Sequence, residues 1–219
     1  MESQIQGGKS CSFVHVDLDP GEGITAEAGA MISMDANINV TTRLNGSIFV
    51  ALIRKFLGGE SVFINLFKNA TAARQRVTLS QPTLGEVQAM ELKGQSICVE
   101  MGSYIASTSG IELNVRWAGL ASFIAREGMF KLVASGTGTL WFGGYGALLE
   151  RHVEGELIVD SGHLVAYDTH LTLKAQLSNG LIGSFTSGEG FVTKVIGKGK
   201  IIIQTRSLSS FADWINPRL

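Results

Sequence analysis

Three stretches decide how this chain folds: Ile24-Thr-Ala-Glu27-Ala-Gly29-Ala-Met-Ile32-Ser-Met-Asp35, Ile97-Cys-Val-Glu100-Met-Gly102-Ser-Tyr-Ile105-Ala-Ser-Thr108, and Leu157-Ile-Val-Asp160-Ser-Gly162-His-Leu-Val165-Ala-Tyr-Asp168. Each has an aliphatic residue, an acid three positions on, a glycine two after that, and an aliphatic residue three further. A glycine in a short polar stretch precedes each, at Pro20-Gly21-Glu22, Lys93-Gly94-Gln95 and Glu154-Gly155-Glu156, and reads as a turn. The acid-x-Gly step suits a turn or bulge where glycine takes a positive φ. Glu27, Glu100 and Asp160 are then expected to bond turn amides; a shared ligand site is the alternative.

The similarity extends downstream. Gly59-Glu60-Ser61-Val62-Phe63 matches Arg126-Glu127-Gly128-Met129-Phe130 and Gly188-Glu189-Gly190-Phe191-Val192. Glu60, Glu127 and Glu189 are expected in equivalent turns, held by backbone amides and not by metal, because an isolated carboxylate is expensive to bury. Gly136-Thr-Gly138 and Gly197-Lys-Gly199 follow in the second and third segments and read as hairpin turns, not phosphate cradles. The first segment has Arg76-Val77-Thr78-Leu79 there instead. Motifs recurring in one order indicate internal repetition. Ile38–Thr41, Ile111–Val115 and Leu171–Ala175 alternate apolar and polar residues, the period of a strand with one buried face.

The expected fold is therefore all-β: three sandwich-like units in a pseudo-threefold arrangement, with short helices in loops and at the C-terminus. The units span residues 1–82, 83–146 and 147–207, and residues 208–219 form a helical tail on one compact body. The tail, Leu208-Ser-Ser-Phe211-Ala-Asp-Trp214-Ile215, reads as a short amphipathic helix started by a serine cap. Docking on the β body is its simplest role, and a partner or membrane contact the alternative.

Composition narrows the function. Of 219 residues, 45% are apolar and 17% charged, which excludes a disordered chain. Glycine occurs 27 times and proline three, consistent with many turns between strands. A net charge of −1 without a basic run argues against nucleic acid, whose binding depends on clustered cations. Cys11 and Cys98 are too few for a disulfide scaffold and read as two reduced, buried thiols. The polar start and the lack of a run of about 20 apolar residues point to a soluble, cytoplasmic protein.

No dinucleotide fingerprint, Walker loop, nucleophile elbow, Cys-x-x-Cys or His-Glu-x-x-His pattern occurs. His15 is isolated. His152, His163 and His170 lie near Glu150, Asp160 and Asp168, but no His-x-His pair supplies a strand-borne metal site. They read as surface or turn histidines, so no catalytic, metal-binding or cofactor-binding residue is assigned and no cofactor is expected. Trp117, Trp141, Phe142 and Tyr145 lack interleaved Arg and Lys and read as packing residues, not as a base-stacking platform.

The candidate interaction patch is apolar. Phe49, Leu52, Ile53, Phe56 and Leu57 stand between the alternating strand and the Gly-Glu motif of the first segment. Leu120, Phe123 and Ile124 stand there in the second, and Leu181, Ile182 and Phe185 in the third. Equivalent places would gather them near one end of the body, covered by another subunit, a protein partner or a membrane surface, or folded back into their own units.

The stretches Pro20–Met31, Gly58–Phe63, Ser135–Leu140, Val159–Asp168 and Ile203–Ser207 together resemble the bacterial members of the altered inheritance of mitochondria family. That family's fold is related to the tryptophan RNA-binding attenuation protein. The resemblance spans roughly residues 5 to 207. It implies a triplicated β fold with a pseudo-threefold arrangement and supplies no catalytic residues. Eukaryotic relatives act in mitochondrial organisation, which implies assembly or membrane-proximal work. The relation to an RNA-binding ring concerns fold and does not carry function. The resulting expectation is a non-enzymatic structural or interaction protein that self-associates. A small-ligand module or enzyme with a site between repeats is the second reading, and RNA binding by fold analogy the third.

Overall fold

The computed structural model describes residues 1–44, 63–117, 130–160, 162–177 and 191–216. Alternation dictates the strands. In β2 (Phe13–Leu18) the side chains of Val14, Val16 and Leu18 are buried while those between them are half-exposed. β1 (Glu2–Gln6) precedes it and is exposed throughout. β3 (Gly23–Glu27), β4 (Met31–Met34) and β5 (Ile38–Leu44) follow, then β6 (Phe63–Asn69) and β7 (Gln75–Leu79). β8 (Gly85–Val99), β9 (Tyr104–Thr108), β10 (Ile111–Trp117) and β11 (Phe130–Tyr145) come next. β12 (Leu148–Asp160), β13 (Leu164–Asp168), β14 (Thr172–Leu177) and β15 (Phe191–Gln204) lead to helix α1 (Leu208–Ile215). The all-β expectation thus holds, with one α-helix, at the C-terminus, among the described residues.

The strands form a four-stranded sheet, β1-β2-β7-β4, and an eleven-stranded sheet ordered β12-β15-β13-β8-β11-β9-β3-β6-β5, with β10 also on β11 and β14 on β15. Long antiparallel pairs are its spine: β8 with β11, and β12 with β15. β2 and β3 correspond to one such strand interrupted at Asp19–Glu22, and β6 and β7 to its partner interrupted after Asn69. Asn69 is fully buried and serves both interruptions. Its Nδ2 donates to the Leu18 carbonyl at 2.9 Å and the Ala73 carbonyl at 2.8 Å. Its Oδ1 accepts from the Thr71 amide at 2.9 Å and hydroxyl at 2.8 Å. One side chain therefore replaces the ladder bonds lost where the strands break.

Apolar side chains collect in three clusters: one around Val16, Ile24, Phe67 and Leu79, a second around Leu92, Val99, Leu140 and Phe142, and a third around Val159, Tyr167, Val195 and Ile201. Full burial of side chains this size stabilises by roughly 1.5–3 kcal/mol each before entropy is counted.

Two expectations are corrected. Gly94 and Gly155 sit inside the continuous strands β8 and β12, not in turns; Gly21 alone of the three lies in one. Gly136-Thr-Gly138 and Gly197-Lys-Gly199 are likewise interior to β11 and β15, not hairpin tips. The reason at Gly136 is close backbone approach: a Cβ there would lie 2.2 Å from the Gly110 carbonyl oxygen, and the ladder register shifts between Ser135 and Thr137.

Candidate functional site

The acid-x-Gly motifs form turns closed by backbone. The carbonyl of Glu27 accepts from the Ala30 amide at 3.2 Å, that of Glu100 from Ser103 at 2.9 Å, and that of Asp160 from His163 at 3.1 Å. Gly29 and Gly162 adopt φ of 96° and 87°, where a side chain would be strained. Gly102 differs: it lies in a 3-10 turn, Met101–Ser103, without positive φ.

Two of these turns, at Gly102 and Gly162, flank a cleft of about 230 Å³ closed by the end of β15 and the start of α1. Gln204 organises it. Its Nε2 donates to the Gly162 carbonyl at 2.7 Å, and its Oε1 accepts from the Tyr145 amide at 2.8 Å. Ser207 caps α1, accepting from the Ser210 amide at 3.4 Å, and its hydroxyl meets that of Ser209 at 2.7 Å. Glu100 and Ser103 complete the polar rim. The cleft can present a carboxylate and several hydroxyls to a small polar molecule.

Three of the four histidines have protein partners. His163 donates through Nδ1 to the Gln204 carbonyl at 2.7 Å, with Nε2 3.5 Å from Asp160. His170 donates through Nε2 to the Lys198 carbonyl at 2.8 Å. His15 meets the Thr78 hydroxyl at 2.9 Å across the β2–β7 ladder, and His152 is exposed. Among the described residues no group of three potential ligands could hold a metal ion. Burial pushes the Tyr104 hydroxyl and the Cys98 thiol up, away from their reactive forms. Trp141 and Phe142 are core residues.

The described surface carries exposed apolar side chains in distinct places. Met31, Ile32 and Met34 lie along β4, and Leu149 and Ile158 along β12. On α1, Leu208, Phe211 and Trp214 are exposed, with Phe211 and Trp214 stacked at 6.1 Å and Phe211 edge-on to Tyr145. The anticipated Ser207 cap is present, but no residue of this helix is buried. Phe49, Leu52, Ile53, Phe56, Leu57, Leu120, Phe123, Ile124, Leu181, Ile182 and Phe185, together with Glu60, Glu127 and Glu189, lie outside the described residues. The exposed apolar residues of β4 and β12 were missed by sequence reasoning, because Met31–Met34 and Leu157–Val159 match the composition of buried strands. Among the described residues no helix is long and apolar enough to cross a membrane.

The sequence pattern of mitochondrial biogenesis AIM24 proteins matches residues 3–206. The chain belongs to the mitochondrial biogenesis AIM24 family. It is 27% identical over 221 residues to an uncharacterised protein of Streptococcus pyogenes serotype M6, covering 97% of this chain and 88% of that one. It is also similar to the crystal structure of a Streptococcus pyogenes protein from a structural genomics consortium. There the TM-score is 0.80 and the identity 26%, over 100% of this chain and 99% of the other.

Proposed function

We propose that this family member is a non-enzymatic structural or interaction protein that self-associates, built from three copies of one β unit joined in series. The observation that carries the reading is the exposed apolar surface on β4, β12 and α1. Surface this apolar, gathered along β4 and α1 and present at Leu149 and Ile158 of β12, marks contact with another molecule. Each 100 Å² of it removed from water is worth about 2.5 kcal/mol before association costs. The unit boundaries, 1–82, 83–146 and 147–207, are supported by the shared pairing of a long strand with the last strand of each segment, as in β8–β11 and β12–β15. A partner protein or a membrane surface is a further occupant for the exposed face of α1.

Light scattering tests the reading. The expected mass is a whole multiple of 23.4 kDa, and a mass of 23.4 kDa at micromolar concentration would remove self-association. Replacing Phe49, Leu52 and Phe56 by Ser, with mass and liposome flotation measured, tests the apolar segments; unchanged results with an intact fold would take them out of the interaction surface.

The cleft beside Gln204 supports a second reading, a small-ligand module with its site between units. A thermal-shift screen of small polar metabolites that moves the melting temperature of the parent but not of Glu100→Gln would favour it.

A further inference from the structure

The chain makes one kind of strand junction twice. β3, which leads into the turn at Gly29, pairs antiparallel with β9: Ile24 with Thr108, Thr25 with Ser107, Ala26 with Ala106. β8, which leads into the turn at Gly102, pairs antiparallel with β13: Ile97 with Asp168, Cys98 with Tyr167, Val99 with Ala166. In both, the strand entering an acid-x-Gly turn meets the strand leaving the turn of the next segment, in the same register. Aligning the three motifs places Leu157, Ile158 and Val159 where Ile97, Cys98 and Val99 stand. It places Ser33, Met34 and Asp35 where Ala166, Tyr167 and Asp168 stand. The third instance of the junction is therefore β12 with β4. Among the described residues β12 pairs only with β15, and β4 only with β7.

Exposure separates the third instance from the other two. Cys98 and Tyr167 are each 2% exposed, and Ser107 0%. Their counterparts Ile158 and Met34 are 58% and 37% exposed. Ile32 is 59% exposed where its counterparts Ile105 and Val165 are fully buried. These are side chains of junction composition without a junction. Closure of β4 on β12 within the chain would bury them, and it does not occur. Exposed strand edges are ordinarily blunted by charge or proline. Met31-Ile-Ser-Met34 and Leu157-Ile-Val159 contain neither.

We propose that β4 of one copy pairs antiparallel with β12 of a second copy, Met34 opposite Ile158 and Ser33 opposite Val159, joining chains head to tail. The occupant is a second copy because each edge has its complement, in chemistry and register, on the other segment of the same chain. The two halves of the contact differ, so it is heterologous and propagates into a ring or a filament. The inference rests on the self-association proposed above and names its surface.

Crosslinking tests it. In a Cys11→Ser background, chains carrying Met34→Cys and chains carrying Ile158→Cys are co-expressed with different tags and oxidised. Paired residues in neighbouring antiparallel strands lie about 4.5–5.5 Å apart at Cα, within disulfide range. The expected product is a crosslinked dimer bearing both tags, absent when either variant is expressed alone. The double variant should give a ladder of multimers; an internally bridged monomer would overturn the proposal. Ile32→Lys with Met34→Lys should lower the light-scattering mass by the whole subunit number, to 23.4 kDa. A multimer indifferent to these lysines and lacking the two-tag dimer would overturn this contact and leave self-association standing. A monomeric parent would remove both.

Discussion

Asn69 offers a test of the fold that does not depend on assembly. Replacing it by Ala removes four hydrogen bonds and takes this donor from the buried Leu18 carbonyl, while the Ala73 carbonyl keeps the Thr71 hydroxyl at 2.9 Å. Each bond is worth about 1 kcal/mol net, and an orphaned buried group about 1–3 kcal/mol. The Thr71 groups are partly exposed and can turn to water or to Ala73, so the loss concentrates on the Leu18 carbonyl and comes to about 1–3 kcal/mol. For a chain of this size that lowers Tm by roughly 2–12 °C. Asn69→Asp keeps the shape and the acceptor for Thr71 but turns the donor into a second acceptor facing two carbonyls. That repulsion raises the carboxyl's folded pKa above the unfolded value of about 3.9. Its stability relative to the parent is therefore best in acid and falls as pH rises through the folded pKa. Urea unfolding followed by circular dichroism at pH 4 and pH 7, at one protein concentration, reads both effects. A loss below about 1 kcal/mol for Asn69→Ala, or an Asn69→Asp deficit no larger at pH 7 than at pH 4, would refute the assignment of Asn69 as the tie between the broken strands.

Two further predictions use the same molecule. Cys11 is exposed and Cys98 is buried with its thiol pushed up by desolvation, so a thiol reagent should label one site quickly and the second only on unfolding; two fast sites would contradict the buried β8–β13 junction. Arg76 holds Asp17 through paired contacts at 2.6 and 2.8 Å and keeps its carboxyl below the usual range. That contribution is present above the unfolded carboxylate pKa and is lost as pH falls through the folded one, so Asp17→Asn should be slightly less stable than the parent at pH 7 and converge with it in acid. A gap that widens in acid would reverse the sign.

The strands and the terminal helix were legible because their signals are local. Period-two alternation at Ile38–Thr41 and Ile111–Val115 and the Ser207 cap need no knowledge of partners. β1 was not legible: Glu-Ser-Gln-Ile-Gln has no apolar face, and it is a strand only because β2 offers it an edge. Gly136 and Gly197 were misread for a related reason. A glycine that makes a turn and one that lets another backbone approach are the same letter, and the neighbour that decides is distant in sequence. Gly110 settles the matter at Gly136, and Leu171, with a side-chain atom 3.0 Å from a Cβ built at Gly197, does so there.

The candidate surface failed to be legible in a different way. Cys98 and Ile158 occupy the same motif position, and nothing local says that one is buried and the other exposed. The difference comes from connectivity. β3 meets β9 and β8 meets β13, while β12 and β4, whose sequences carry the same motif positions, have no such partner among the described residues. A motif read from sequence describes what its copies share and does not say which copy finds a partner strand within the chain. Selection for a monomer would have charged Ile32, Met34 or Ile158, since a lysine on an exposed edge costs little and prevents pairing. All three positions are apolar in this chain. In the proposed head-to-tail contact, the sequence pattern that describes one chain also specifies how the next is added.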